Sequence, residues 1–245
     1  KHNIPIPRGR LASTQEEAKL IADELNRPVV LKAQVLVGGR GKAGGILMAD
    51  PATGIAVARE LFAKEIKGLP VKEVLAEERL EITQEYYLSI AIDRSSKQAL
   101  ILFADAGGVD IETLAREKPD AVRRVSIPVI MHELPPFMVR ELLGRAPKEI
   151  GAVINRLYRA FCEKDALLAE INPLVTTPSG VYAADAKLII DDNALGRQGI
   201  TLNRDLTERE RQAEKHGFSY VELNGDIGVI GNGAGLTMAT LDLIE

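Results

Sequence analysis

The 245-residue sequence has a single cysteine, Cys162, and no tryptophan, and each shortage excludes a class of protein. One cysteine cannot form a disulfide within the chain, so we expect a reducing compartment. Aromatic residues make up 4% of the chain, too few for the stacking surfaces that bind single-stranded nucleic acid. The formal net charge of -4 also argues against nucleic-acid binding driven by phosphate neutralisation.

Long apolar runs are missing as well. No stretch approaches the length that crosses a bilayer, so we expect a soluble protein, cytoplasmic by default, with the mitochondrial matrix left open. Apolar residues make up 46% and charged residues 27%, the balance of a globular protein with one large domain or two smaller ones. The chain starts without Met, and GAGLTMATLDLIE at its end predicts a helix without a C-cap. We therefore expect a fragment.

Hydrophobic spacing and turn residues predict hairpins interleaved with helices, without strict βαβ alternation. The predicted strands are Val29–Gln34, Ile46–Ala49, Glu73–Glu78, Glu85–Asp93, Gln98–Ala104, Val122–Ser126, Leu167–Thr176 and Val181–Ile190. The predicted helices run from Ser13 to about Asn26, where Pro28 ends the helix, from Asp50-Pro51 to about Ile66, from Pro136 to Arg145, and from Lys148 to Lys164. A polar connector over Asp205–Gly217 leads to Tyr220–Gly231 and a final helix. The pattern predicts an α+β fold with largely antiparallel sheets.

The glycine-rich segment Gly39–Gly44 has the sequence GRGKAG, which fits the G-x-G-x-x-G pattern of a dinucleotide-binding turn. In that fold a strand leads through the glycines directly into a helix. Here the glycines lead into the strand-like run Ile46–Ala49, and the predicted helix begins only at Asp50. No acidic residue ends a strand where the ribose partner belongs. We therefore set aside an NAD-dependent oxidoreductase.

The same segment does not match a P-loop either, because Ala43 replaces the required Ser or Thr and Leu36 replaces the first glycine. It predicts a hairpin turn carrying Arg40 and Lys42, whose cations and backbone amides can enclose a polyphosphate. Beside it, Lys32 interrupts the apolar strand VVLKAQV, where a buried ammonium needs a partner. A glycine-rich surface turn and an outward-pointing lysine are the alternatives; for the turn we favour phosphate binding.

Seven motifs, in order along the chain, carry a resemblance to a known family. They are IPIPRG, LKAQVLVGGRGKAGG, EYYLSIAIDRSS, AGGVDIE, LAEINPLV, DDNALGRQ and LNGDIGVIGNGAGLTMATLDLI. With them the chain resembles the β subunits of succinyl-CoA synthetase (succinate–CoA ligase), which are ATP-grasp enzymes, along essentially its whole length. The resemblance implies an ATP-grasp fold over residues 1–223, with two α/β subdomains built on antiparallel sheets. It implies that residues 224–245 are the first strand, at Asp226–Gly231, and the first helix of a truncated flavodoxin-like CoA-ligase domain.

The resemblance also implies a site for ATP or ADP, with GTP or GDP as the alternative. Its nucleotide-binding residues are Lys32, Gly39, Arg40, Gly41, Glu77, Leu80 and Glu85. Among these, Lys32 contacts phosphates, Gly39-Arg40-Gly41 forms a lid over the triphosphate, and Arg40 takes part in catalysis. The resemblance also implies that Glu85 binds the ribose. Counting back from EYYL makes Glu77, and not Glu78, the acid near the base.

Three more roles follow from the resemblance. Asn172 and Asp185 resemble the family's Mg²⁺ ligands, and oxygen ligands are those that Mg²⁺ prefers. Glu170 resembles the catalytic acid that holds a phosphohistidine of the partner subunit, and it lies two residues before Asn172 on the same strand face. Asn232 matches a substrate-binding position.

The implied reaction is the reversible conversion of succinate, CoA and a nucleoside triphosphate into succinyl-CoA, nucleoside diphosphate and phosphate. It passes through a histidine phosphorylated on the α subunit, the expected partner in a heterodimer or heterotetramer. The three histidines of this chain, His2, His132 and His216, are not placed for that role. Two alternatives stay open: a related acyl-CoA ligase acting on malate or another carboxylate, and a non-catalytic nucleotide-binding assembly module.

Overall fold

A computed structural model describes residues 2–35, 37, 39–128, 130–200, 207–223 and 225–244. The chain separates into two compact units, residues 1–199 and residues 200–245. The domain boundary that we predict after residue 223 remains a prediction.

The first unit contains two antiparallel sheets. The smaller sheet has the strand order β1-β6-β2-β3, and a separate two-stranded ribbon, β4-β5, lies between β3 and β6 in the chain. The strands are β1 (Gly9–Ala12), β2 (Val29–Ala33), β3 (Ile46–Ala49), β4 (Glu65–Ile66), β5 (Leu69–Pro70) and β6 (Val74–Glu78). Because β2 and β3 pair antiparallel, the glycine segment between them connects the strands of a hairpin, as predicted.

Two helices, α1 (Gln15–Leu25) and α2 (Gly54–Phe62), cover one face of the smaller sheet. The Thr14 side chain caps α1 by accepting a hydrogen bond from the Glu17 backbone N–H at 3.2 Å. The helix ends because Asn26 adopts a left-handed conformation, with φ of 48°, so Pro28 is not its terminator.

The predicted start and end of the second helix are wrong. It begins at Gly54, because the Thr53 hydroxyl bonds to the backbone N–H and C=O of Asp50 and keeps this segment in a turn. It ends at Phe62, and Glu65–Ile66 instead pairs as a strand with Leu69–Pro70.

The larger sheet has six strands in the order β11-β10-β7-β8-β9, with β12 also paired to β10. They are β7 (Gln84–Asp93), β8 (Gln98–Ala104), β9 (Val122–Pro128), β10 (Ala166–Thr177), β11 (Gly180–Ala183) and β12 (Ala186–Ile190). The remaining helices of this unit are α3 (Ile111–Glu117), α4 (Pro136–Leu143), α5 (Ile150–Glu163) and α6 (Leu195–Gln198). Helices α4 and α5 bury their apolar faces against the sheet in one large core.

The hairpin formed around the TPSG turn (residues 177–180) differs from the prediction in its return strand. The predicted return strand Val181–Ile190 is interrupted at Ala184 and Asp185, so it becomes β11 and β12. The register of β10 against β7 also shifts between Ile171 and Leu174. The break places Asp185 beside Asn172, whose backbone N–H donates to the Asp185 carbonyl at 3.0 Å.

The second unit contains α7 (Glu208–Lys215) and α8 (Ala234–Ile244). Helix α7 falls in the predicted polar connector and begins with a capping box of Thr207 and Glu210. The described part of the predicted strand Asp226–Gly231 is not paired as a strand, whereas the final helix is present. The flavodoxin-like assignment of this segment stays a prediction. Among the described residues, no helix is long and apolar enough to cross a membrane.

The edge strand β1 can approach β6 only because residue 9 is glycine. A β-carbon at Gly9 would lie 2.3 Å from the Ala76 carbonyl oxygen and 2.6 Å from the Glu77 α-carbon. We expect Gly9→Ala to lower the free energy of unfolding in urea by about 1–3 kcal/mol, the usual cost of overpacking. Gly196→Ala in α6 is the matched control, since a β-carbon there would have no neighbouring atom within 4 Å, and it should be neutral or slightly stabilising. Equal stabilities for the two variants would contradict this account.

Candidate functional site

The centre of the candidate site is a buried ion pair in the smaller sheet. Lys32 on β2 and Glu77 on β6 lie on the same sheet face, and the Lys32 ammonium pairs with the Glu77 carboxylate. The two side chains are only 8% and 7% exposed. The ammonium also donates to the Ala184 carbonyl at 2.5 Å, which belongs to the break between β11 and β12 in the larger sheet. This lysine therefore connects the two sheets.

A second ion pair crosses between the sheets beside the first. Arg40, from the glycine-rich hairpin, donates from Nη2 to both carboxylate oxygens of Asp185 at 2.7 and 2.8 Å. Its Nη1 donates to the Ala33 carbonyl at 3.0 Å, which fixes the guanidinium at the end of β2. The arrangement brings two cations and two acids together, although the four residues are widely spaced in the sequence.

Of the four groups, Glu77 is the one whose ionisation is affected most clearly by its burial. Burial raises the pKa of the Glu77 carboxyl, and the neighbouring Asp185 charge adds to the effect, while Lys32 and Arg40 oppose it. Burial therefore destabilises the charged form of Glu77, and pairing with the Lys32 ammonium stabilises it.

The adjacent acid, Glu78, points to the opposite face of the strand. Its carboxylate accepts from the Arg8 backbone N–H at 3.0 Å and from the Arg8 and Arg27 guanidinium groups at 2.8 and 3.0 Å. The hydrogen bond from the Arg8 side chain is the largest cause that lowers the pKa of Glu78. The structure thus brings Glu77, and not Glu78, beside Lys32; contact of Glu77 with a nucleotide stays a prediction.

The predicted metal ligand Asn172 is fixed by the AGGVD loop. Its Oδ1 accepts from the Gly108 N–H at 2.7 Å, and its Nδ2 donates to the Val109 carbonyl at 3.1 Å. The Glu85 carboxylate lies against the same glycine, because a β-carbon on Gly108 would fall 2.8 Å from its Oε2. Two predicted residues, Asn172 and Glu85, therefore flank one loop that the sequence did not assign to the site.

The predicted catalytic acid Glu170 lies on β10, opposite Ser89 of β7 and Lys187 of β12. Its Oε2 accepts a hydrogen bond of 2.9 Å from the Tyr87 hydroxyl. The face that carries Glu170, Asn172 and Glu85 is the one opposite the core formed with α4 and α5.

The other residues predicted for the nucleotide site are Gly39, Gly41 and Leu80. Gly39, with φ of 75°, and Gly41 are exposed on the turn that carries Arg40. Leu80 lies elsewhere, in a cleft of about 440 Å³ whose lining includes Arg8, Glu78 and Tyr182.

Asn232, the predicted substrate-binding residue, is exposed in the second unit, just before α8. Its role stays a prediction.

Comparison with known proteins identifies the family of the chain. The sequence pattern that defines the ATP-grasp domain matches residues 1–176. The β subunit of GDP-forming succinate–CoA ligase from Thermus thermophilus is 46% identical over 100% of this chain and 68% of its own length. The ADP-forming β subunit from Methanocaldococcus jannaschii is 48% identical, also over 100% of this chain and 68% of its own length.

The chain belongs to the succinate–CoA ligase β-subunit family. Solved structures show the ATP-grasp fold at low sequence identity. An acetyl-coenzyme A synthetase from Ca. Korarchaeum cryptofilum, in complex with coenzyme A and Ca-AMPCP, has a TM-score of 0.64 at 19% identity, covering 78% of this chain and 88% of its own. ATP citrate lyase from Methanothrix soehngenii has a TM-score of 0.60 at 19% identity, covering 84% of this chain and 52% of its own. The predicted fold class is confirmed.

The residues present fit the Mg²⁺ that this family typically uses. Asn172 and Asp185 supply an amide oxygen and carboxylate oxygens, and the backbone hydrogen bond between them keeps the two residues adjacent. Mg²⁺ usually takes few protein ligands and completes its shell with phosphate and water. The described residues contain no group of three or more His, Cys, Asp or Glu side chains suited to a metal.

Three groups at this site have no role assigned from the sequence motifs: the Tyr87 hydroxyl, the Gly108 N–H and the Ala184 carbonyl. The alternation of EYYL does indicate that Tyr87 shares a strand face with Glu85. The two backbone groups carried no comparable signal, because their partners lie 64 and 152 residues away.

The Arg8–Glu78 pair predicts a pH dependence of stability. Because the folded-state pKa of Glu78 is below its ordinary value of 4.5, its stabilising contribution is present above pH 4.5 and is lost as the pH falls further. We expect Glu78→Gln to be less stable than the wild type at pH 7, with a difference that narrows below pH 4.5 in urea unfolding.

Glu24→Gln is the control for that experiment, since Glu24 also pairs with an arginine, Arg10, but at an exposed position where solvent screens the interaction. A Glu78→Gln difference that stays constant from pH 7 to pH 3, or one no larger than that of Glu24→Gln, would contradict the prediction.

Proposed function

We propose that this chain binds a nucleoside triphosphate with Mg²⁺ between its two sheets and supplies the nucleotide end of succinate–CoA ligase. The observation that carries the proposal is the convergence of Lys32 and Arg40 on Asp185 and Ala184 across the sheets. Two cations from one sheet and a predicted metal ligand from the other then enclose the same space. Polyphosphate is the substrate part whose charge matches that arrangement.

The acids Glu77 and Asp185 hold the cations before nucleotide arrives. When the phosphates bind, they replace Asp185 as the acceptor for Arg40 and add acceptors for the Lys32 ammonium. Asp185, no longer paired with Arg40, and Asn172 would then be the residues that hold Mg²⁺. Bound there, Mg²⁺ would supply charge neutralisation on the phosphates.

On the larger sheet, Glu170 accepts the N–H of the partner's histidine and orients that ring toward the terminal phosphorus. The histidine of the α subunit attacks, the bond from phosphorus to the bridging oxygen breaks, and the diphosphate leaves with the electron pair. Catalysis by this chain consists of positioning and charge neutralisation, since it forms no covalent intermediate of its own.

The names of the similar proteins favour succinate as the acid, and the malate alternative is not favoured. They include both ADP-forming and GDP-forming enzymes, so the choice of base is left to experiment. Transfer of a phosphoryl group to a histidine of a partner α subunit would distinguish the ligase from a non-catalytic nucleotide-binding module.

The test is calorimetric titration of ADP and of GDP into the protein, with and without Mg²⁺. We expect micromolar-range binding of one nucleotide that depends on Mg²⁺, weakened about tenfold or more in Lys32→Ala and in Asp185→Asn, because each variant loses a charge-assisted contact. Lys19→Ala and Asp23→Asn are matched controls from an exposed pair on α1 and should bind as the wild type does. Circular dichroism verifies that every variant is folded.

Unchanged affinity in Lys32→Ala and Asp185→Asn would contradict the proposed site. An Mg²⁺-dependent affinity that falls equally in the control variants would show a general electrostatic effect and would contradict it as well.

A further inference from the structure

We propose that Tyr87 is a positioning residue, whose hydroxyl holds the Glu170 carboxylate in the orientation in which it receives the partner's histidine. The inference rests on the function proposed for Glu170 above. It adds a residue to which neither the motifs nor the similarity to known proteins assigned a role.

The contact is direct and its two strands are neighbours in the sheet. Tyr87 lies on β7 and Glu170 on β10, and the Tyr87 hydroxyl donates to Glu170 Oε2 at 2.9 Å. On its other side β7 is paired with β8, where Ala104 lies opposite Tyr87. The backbone positions of both residues are therefore set by the ladder of the larger sheet.

The tyrosine has no freedom to turn toward water. Its residue is only 3% exposed, so the ring is enclosed and the hydroxyl needs a partner inside the protein. Burial raises the pKa of the Tyr87 hydroxyl, and the charge of Glu170 adds to this. The hydroxyl thus remains protonated and can donate throughout the neutral pH range.

The geometry leaves the other carboxylate oxygen available. Glu170 is half-buried, and within the described residues its side chain has a hydrogen bond to Tyr87 alone. With Oε2 held, Oε1 has a fixed direction in which it can accept an imidazole N–H. Carboxylates orient histidines in this way in other active sites, and loss of such a positioning partner lowers activity.

The opposite interpretation is that the hydrogen bond only satisfies a buried hydroxyl. In that case a phenylalanine, which keeps the ring and removes both the donor and its need for a partner, would leave the reaction unchanged. The two interpretations therefore differ in what Tyr87→Phe does to the rate.

The experiment uses the full-length β subunit assembled with its α subunit. The rate of phosphoryl transfer from γ-labelled nucleotide to the α-subunit histidine and the KM for nucleotide are measured for the wild type, Tyr87→Phe, Glu170→Gln and the double variant. We expect Tyr87→Phe to lower the transfer rate about tenfold with the nucleotide KM unchanged. The double variant should be no slower than Glu170→Gln alone, because Tyr87 acts through Glu170.

Tyr158→Phe is the matched control. Tyr158 lies on α5 away from the site, its ring is also buried, and its hydroxyl donates to the Met131 carbonyl. It should transfer at the wild-type rate. A rate for Tyr87→Phe equal to that of Tyr158→Phe, losses that multiply in the double variant, or a raised nucleotide KM would each overturn the inference.

Glu170→Asp tests the same hydrogen bond by shortening the acceptor side chain, and it replaces Tyr87→Phe if that variant does not assemble with the α subunit. It keeps the charge but withdraws the carboxylate from the hydroxyl, so a similar loss of rate is expected and a full rate would overturn the inference. Failure of the proposed function looks different. If the proposed function is wrong, Glu170→Gln transfers the phosphoryl group at the wild-type rate, or the wild type binds no Mg²⁺-nucleotide in the calorimeter. In either case the role assigned to Tyr87 is also lost.

Discussion

The structure depends on one constraint: Lys32 and Glu77 are charged side chains inside a sheet, and neither is tolerated there without the other. An unpaired buried charge costs several kcal/mol, and a buried pair repays that cost only when further hydrogen bonds satisfy it. Lys32 finds its further acceptor on the other sheet, at the Ala184 carbonyl. The carbonyl is free to accept because the hairpin strand is interrupted there. The need to satisfy one ammonium thus joins the two sheets at the point where the phosphates are proposed to bind.

The second ion pair, between Arg40 and Asp185, depends on the same interruption between β11 and β12. Interruption of the strand after β11 turns Asp185 toward Arg40, which the glycine hairpin holds at the end of β2. In this arrangement the cations are neutralised by acids of the same chain. The proposed binding of a polyphosphate would be an exchange of anionic partners for Arg40, while the buried Lys32–Glu77 pair would keep Lys32 in place. The site is preorganised because its charges are already positioned and largely desolvated.

Local sequence patterns predict those parts of the fold that depend on neighbouring residues. Strands Ile46–Ala49 and Gln98–Ala104 match their predicted bounds, since each is an apolar run between turn residues. Prediction from local sequence fails where a residue distant in the sequence determines the local structure. The run VYAADAKLII favours a single strand. In the structure the Ala184 N–H donates to the Pro173 carbonyl, and the Ala184 carbonyl accepts a hydrogen bond from the Lys32 ammonium, so the strand is interrupted there. The Tyr87–Glu170 contact escaped prediction because it depends on the pairing of strands 83 residues apart in sequence.

The measurement that tests the account most directly is a crystal structure of this protein with Mg²⁺ and ADP. The account predicts nucleotide between the two sheets, with the Arg40 guanidinium moved from Asp185 to a phosphate and Asp185 and Asn172 directed at the metal. Lys32 should contact the phosphates while keeping Glu77. Nucleotide bound elsewhere, or bound with the Arg40–Asp185 pair intact, would contradict it.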